Sequence, residues 1–269
     1  MTAHLKVHFE ANDPIIGLIV SLAGQCKLGE ASGWTVFEAL ARSVASQQIS
    51  GAVARKMIER LVASHGGSFP TPAEIAAATP EQLRLCGFSF SKIKALQDLA
   101  AHCLDGRLPE DDALALMEDE EVIERCAAVR GIGRWTAQML LMFHFGRQDV
   151  LPVDDFGVRN GFRLAYGLKG MPRPKALLAF GERWAPYRSA AAWYLWRAVD
   201  LHKEGKLPKR SGRAPRIEIE KPKPAKKAKG VKAKLARKAK SAKKPSKARP
   251  SPRRADPKPR SPRPSPRRK

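Results

Sequence analysis

The chain has 269 residues, 50 of them Lys or Arg against 26 Asp or Glu, and its net charge of +24 sits at one end. From Lys206 to Lys269 there are 27 basic and 3 acidic residues, leaving 23 of each in residues 1–205; that tail also holds 12 of the 21 prolines and none of the 18 aromatics (5 Trp, 3 Tyr, 10 Phe). The sequence argues against a secretory leader, against a membrane span of about 18 apolar residues, and, with Cys26, Cys86, Cys103 and Cys126 scattered, against a zinc site, an iron–sulfur cluster or a disulfide framework.

Residues 1–205 suffice for one compact domain or two small lobes sharing a core. Residues 206–269 lack the apolar surface to offset ordering entropy and are expected to be disordered. A short irregular segment is predicted around His4 to Glu10. From Trp34 the apolar spacing is close to 3.6, with Phe37, Leu40, Ala41 and Val44 on one face, then Val53, Met57 and Leu61 on another. The two helices so predicted meet near Gln47 to Ser50. Thr71-Pro72-Ala73-Glu74 and Thr79-Pro80-Glu81-Gln82 each combine a capping hydroxyl, a proline at the first helical position and a Glu or Gln able to reach back. Further helical patterns run over about 91–104, 118–129, 134–145, 155–166, 173–184 and 187–201, divided at Gly131, Pro152, Gly167 and Pro186. No run alternates as a strand does, so the expected fold class is all-α. The cysteines read as small reduced core residues, and the six histidines show no metal-binding spacing.

Val129-Arg130-Gly131-Ile132-Gly133-Arg134-Trp135-Thr136 falls between two of these helices. Glycines one residue apart permit a tight turn with open backbone, and Ile132 between them can anchor it in the core. The helix that follows offers unpaired N–H groups and a partial positive charge to a phosphate oxygen. A plain helix–helix connection accounts for these eight residues equally well. About twenty residues later comes Leu151-Pro152-Val153-Asp154-Asp155-Phe156-Gly157-Val158-Arg159, whose adjacent carboxylates can serve catalysis or simply cap a helix.

Together these segments resemble the helix-hairpin-helix DNA glycosylase superfamily, specifically its 3-methyladenine DNA glycosylase II group, over roughly Asp13 to Leu201. Ala45-Ser46-Gln47-Gln48-Ile49-Ser50 is similar to the family's minor-groove loop. The stretch from Leu83 through Gly87-Phe88-Ser89 to Lys92 is similar to its Leu-x-x-x-Gly-Leu-Ser-x-x-Lys motif. Trp184-Ala185-Pro186-Tyr187-Arg188-Ser189-Ala190 looks like its late helix-starting segment.

The resemblance implies a two-lobed all-α domain over 1–205 that rotates a nucleotide out of duplex DNA into a pocket. It assigns the catalytic carboxylate to Asp155, placed below an oxocarbenium-like sugar, and leaves Asp154 as a cap. Trp135 and Trp196 line the base pocket with Phe156 on a third side, and Met139 stands where the best-known relatives have an aromatic. Gln48 fills the gap left by the flipped nucleotide, and Gln47 beside it is a further DNA-binding residue. Gly131, Ile132, Gly133, Arg134 and Thr136 bind the DNA backbone, and a monovalent cation is expected on hairpin carbonyls near Gly131. Bifunctional members carry a nucleophilic lysine directly after the hairpin; Trp135 stands there, which implies a monofunctional enzyme. The four-cysteine cluster of some relatives is absent, and no organic cofactor is expected.

The expected activity is hydrolysis of the N-glycosidic bond of alkylated purines in double-stranded DNA, by a monomer acting in cytoplasm, nucleoid or nucleus with no membrane partner, followed by an abasic-site endonuclease. Two rivals remain at the level of sequence, a non-catalytic architectural DNA binder and a glycosylase for deaminated bases. The tail is expected to hold DNA by phosphate neutralisation, with Ser-Pro pairs at Ser251, Ser261 and Ser265 as candidate modification points.

Overall fold

A computed structural model of the chain describes residues 2–29, 33–208 and 215–220. Among them the regular structure is helical, save one isolated antiparallel bridge between Pro172 and Ile219. No described helix is long and apolar enough to cross a membrane.

The helices fall into two groups. One is continuous in sequence: α3 (Val36–Ser46), α4 (Gly51–Ala63), α5 (Pro72–Ala77), α6 (Pro80–Leu85), α7 (Phe90–Leu104), α8 (Asp111–Leu116), α9 (Asp119–Ala127) and α10 (Arg134–Phe143). Completing the fold from both chain ends are α1 (Thr2–Asn12), α2 (Pro14–Ala23), α11 (Phe156–Ala165), α12 (Pro174–Gly181) and α13 (Arg188–Lys203). In the first group α7 packs on α3, α5 and α6, and α10 packs on α3 and α9; in the second α13 packs on α2 and α11. The chain crosses between the groups after α10, so the segment leading to Asp155 lies at their junction.

Local chemistry explains most boundaries. Thr71 and Thr79 form the expected reciprocal caps with Glu74 and Gln82. Phe37, Leu40, Ala41 and Val44 are buried as their spacing predicts, whereas Val53 is half exposed because the buried stripe of α4 is Ala54, Met57, Ile58 and Leu61. Cys26, Cys86 and Cys126 are buried free thiols and Cys103 is partly so; burial pushes Cys26 up to about 11 and Cys126 up to about 12.

Two sequence expectations are overturned. The N-terminal stretch is not irregular: Thr2–Asn12 is helical. Only Leu5 and Phe9, one turn apart, reach the core from it, too thin a stripe to register as a period. The carboxylate of Asp13 then caps α2 at Ile15 N and accepts from Tyr166 Oη (2.5 Å) and Trp184 Nε1 (2.9 Å), tying the N-terminal helices to the C-terminal ones. The second concerns the boundary at 205/206. Residues 215–220, taken with the tail, lie along residues 171–173: Arg173 N donates to Glu218 O (2.8 Å) and Glu220 N to Met171 O (2.7 Å). Ile217 and Ile219 pack against the core, Glu218 pairs with Arg173 (2.6 Å) and Glu220 with Arg159. The remaining disorder and modification expectations, for 209–214 and 221–269, lie outside the described residues.

Candidate active site

The approach to Asp155 is pinned from α13. Arg188 grips Asp149 with Nε and Nη2, both at 2.8 Å, and Ser189 Oγ accepts from Val150 N (2.9 Å) while donating to Arg147 O (2.7 Å). A turn closed by Asp155 N on Pro152 O (3.0 Å) then presents Asp155 as the N-cap of α11. The capping role expected of Asp154 thus falls to Asp155, because the helix begins at Phe156; Asp154 is exposed.

Capping is half of what that carboxylate does. Its Oδ1 accepts from Val158 N (2.7 Å) and Trp196 Nε1 (2.8 Å), and its Oδ2 accepts from Trp135 Nε1 (2.8 Å). Three N–H donors from α10, α11 and α13 therefore fix one carboxylate at the junction of the two helix groups. The closeness of α13 requires glycine on α11. A Cβ on Gly161 would lie 1.9 Å from Leu195 O, and one on Gly157 would lie 2.6 Å from Trp196 Cδ1 and 3.1 Å from Asp155 Oδ1. Sequence reading passed over both glycines, although their four-residue spacing in an otherwise amphipathic helix signals close backbone approach.

Trp135 and Trp196 are thus brought together as expected, with Trp135 45% exposed. Phe143, which sequence reading missed, stacks on Trp196 with centroids 5.8 Å apart and planes 20° from parallel. It stands four residues after Met139 and eight after Trp135, a helical stripe that could have revealed it. Phe143 and Met139 line a cavity of about 350 Å³ between α3 and α10, together with Trp34, Leu40, Ser43 and Thr136. Its volume is in the range of small-molecule sites. Thr136, expected at the DNA backbone, is buried and lines this cavity. Phe156, expected on a third side, is 72% exposed, since the buried face of α11 is carried by Val158, Gly161, Phe162 and Ala165. Two larger cavities, about 500 and 540 Å³, contain none of the predicted site residues.

The hairpin has the expected form. Gly131 adopts φ +78°, Ile132 is buried, and α10 starts after Gly133 with no side-chain cap on its N-terminus. Arg134 is held by Glu120 through two hydrogen bonds (2.8 and 2.5 Å). Gln47 Nε2 donates to Gly131 O (2.8 Å), so this glutamine joins the loop after α3 to the hairpin instead of reaching outward. The oxygen expected near a cation therefore already accepts a hydrogen bond from Gln47. Gln48, next in the loop, has φ +60°. Among the described residues no group of three or more His, Cys, Asp or Glu could hold a metal ion.

Residues 41–186 match the family model described as HhH-GPD superfamily base excision DNA repair protein. DNA-3-methyladenine glycosylase 1 of Schizosaccharomyces pombe is 42% identical over 166 residues, covering 61% of this chain and 73% of that protein. Among solved structures, the S. pombe 3-methyladenine DNA glycosylase in complex with abasic DNA has a TM-score of 0.67 at 38% identity, covering 74% of this chain and 97% of that one. The DNA-3-methyladenine glycosidase of Bacillus halodurans has a TM-score of 0.66 at 34% identity, over 72% and 88%.

Proposed function

The chain belongs to the HhH-GPD superfamily of base excision DNA repair proteins, and from that premise we propose how it acts: as a monofunctional glycosylase that hydrolyses the N-glycosidic bond of alkylated purines in duplex DNA. It is a DNA glycosylase of the 3-methyladenine class, acting in base excision repair. The observation that carries the mechanism is the Asp155 carboxylate held between the indole N–H groups of Trp135 and Trp196.

Those two bonds set the division of labour. Each indole uses its edge N–H on the carboxylate, which leaves the exposed Trp135 ring for the substrate, together with whatever face of Trp196 is not stacked on Phe143. A base such as N3-methyladenine is cationic, and an electron-rich ring attracts it by about 0.5–2 kcal/mol beyond ordinary stacking. When the bond from C1′ to the base breaks, its electron pair leaves with the base, which departs neutral. The sugar becomes an oxocarbenium ion, and Asp155 balances that charge and orients the water whose oxygen adds to C1′, the water's proton passing to the carboxylate or solvent. An already charged leaving group needs no general acid. Trp135 offers no amine to attack the sugar, which supports the monofunctional reading. Gln48 is the residue assigned to the gap in the base stack, the uncapped start of α10 to a phosphate, and the tail to nonspecific retention on DNA.

Methylated duplex DNA tests the reading directly. The expected products are free alkylated purine and abasic sites that cleave only in hot alkali. Absence of base release sinks the enzymatic reading in favour of an architectural binder, release of deaminated bases alone transfers it to the other glycosylase class, and a borohydride-trapped adduct removes the monofunctional assignment.

A further inference from the structure

Lys92 closes the Leu-x-x-x-Gly-Phe-Ser-x-x-Lys stretch, no residue of which takes part in the chemistry at Asp155, and its side chain does not face solvent freely. Its Nζ donates to three backbone carbonyls at the end of α3: Val44 O (2.7 Å), Ala45 O (2.7 Å) and Gln47 O (2.8 Å). An ammonium has three N–H donors and no more, so all are turned inward and none is left for a DNA phosphate. Burial holds the Lys92 pKa below the usual lysine value, a cost that a merely solvated lysine would not carry.

These carbonyls need an outside partner because α3 lacks the usual ways of ending. The last carbonyls of a helix have no intrahelical donors and carry partial negative charge. A C-terminal glycine in the left-handed region, or a basic residue in the last turn, commonly answers that. Here the last turn has no basic residue and the C-cap is Gln47, with φ −57° and ψ 130°. The loop's own backbone bonds, Gln47 N to Val44 O and Ile49 N to Ser46 O, are both long at 3.4 Å. Yet directly after Gln47 the chain places Gln48 at φ +60°, the only non-glycine at positive φ among the described residues. Such a conformation persists where its surroundings over-determine it. The Gln47 carbonyl is held by Lys92 and the Gln47 side chain by Gly131 O, so the peptide leading into Gln48 is fixed from both sides.

We propose that Lys92 is a positioning residue: its three-carbonyl clamp presets the loop from Gln47 to Ser50, so that Gln48 is aimed at the base stack, in register with the hairpin, before DNA arrives. The proposal rests on the reading of Gln48 as the residue that fills the gap. Its consequence is specific. Loss of the clamp impairs opening of the stack and leaves the chemical step alone, since Lys92 touches neither Asp155 nor the cavity lining.

The test compares Lys92→Met, which keeps the aliphatic stem and removes the donors, with Gln48→Ala, using the full chain. The readouts are single-turnover base release from methylated duplex, base release from the same lesion in single-stranded DNA, and fluorescence of 2-aminopurine placed beside the lesion in the duplex. Lys92→Met is expected to lose tenfold or more in duplex release and most of the fluorescence rise, with single-strand release within about twofold of the parent. In combination with Gln48→Ala it should cause little further loss. Unchanged duplex release, or equal loss on both substrates, overturns the positioning role. If Gln48→Ala leaves duplex release and fluorescence unchanged, it is the reading of Gln48 that fails, which separates the two. Should Lys92→Met not fold, Lys92→Arg keeps the charge but cannot bring three donors from one atom onto converging carbonyls. It must then show the same split between substrates in weaker form, and parent-like behaviour on both substrates refutes the proposal.

Discussion

Replacing Asp155 with Asn exchanges one carboxylate oxygen for an amide and removes the charge. The fold should survive, because the retained oxygen can keep the cap on Val158 N and the bond from Trp196 Nε1. The new NH₂ then faces Trp135 Nε1–H, donor against donor, and the 2.8 Å bond there is lost. A lost hydrogen bond with one orphaned donor costs about 1–3 kcal/mol, and Trp135 is exposed enough for water to replace it, so the low end applies. About 1 kcal/mol lowers the melting temperature of a domain this size by roughly 2–4 °C. Catalysis should fall much further: loss of one preorganised group facing developing charge costs about 2.7–4 kcal/mol, or 10²–10³-fold. Asp154→Asn changes an exposed carboxylate outside this network and should stay within a few-fold. Single-turnover base release with thermal unfolding of both variants decides the matter. Near-parental turnover by Asp155→Asn, or a larger loss at Asp154, would refute the assignment, and collapse of the fold would refute the bonding argument.

Gly157→Ala should leave α11 helical, alanine being the better helix former, but its Cβ would lie 2.8 Å from Trp196 Nε1 and must push that indole off Asp155. A misplacement near 1 Å costs on the order of 100-fold in rate, checked by base release alongside circular dichroism. Asp13→Ala removes the cap of α2 and the acceptor of the buried Trp184 indole, for about 2–4 kcal/mol of stability. Urea denaturation checks this, and a loss below 1 kcal/mol contradicts it. Truncation after Glu220 keeps residues 215–220 in place and removes 22 of the 27 basic residues that follow Gly205. Nonspecific duplex affinity should then lose much of its salt dependence while the single-turnover rate at saturating enzyme stays within a few-fold, and equal log–log slopes would show that the tail does not touch DNA.

Much of this protein is legible in its sequence because it depends on local spacing. The caps at Thr71 and Thr79, the apolar face of α3, the double-glycine hairpin and the carboxylate twenty residues past Trp135 are all short-range patterns with one physical solution each. Asymmetry of charge likewise separated residues 1–205 from the basic tail. What tertiary structure decided are relations between residues far apart in the chain, where no period runs. That Trp196 reaches Asp155 depends on how closely α13 approaches α11, which Gly157 and Gly161 permit but do not announce. Phe156 stands exposed and Thr136 is buried beside the α3–α10 cavity because helix rotation, set by whole buried faces, decides which way a neighbouring side chain turns. The N-terminal helix escaped notice since two apolar contacts carry it, and residues 215–220 joined the domain through two isoleucines and two glutamates whose arginine partners lie more than 40 residues away. Contacts of that kind are chosen by the packed fold, in which burial of a side chain depends on surfaces supplied by the rest of the chain.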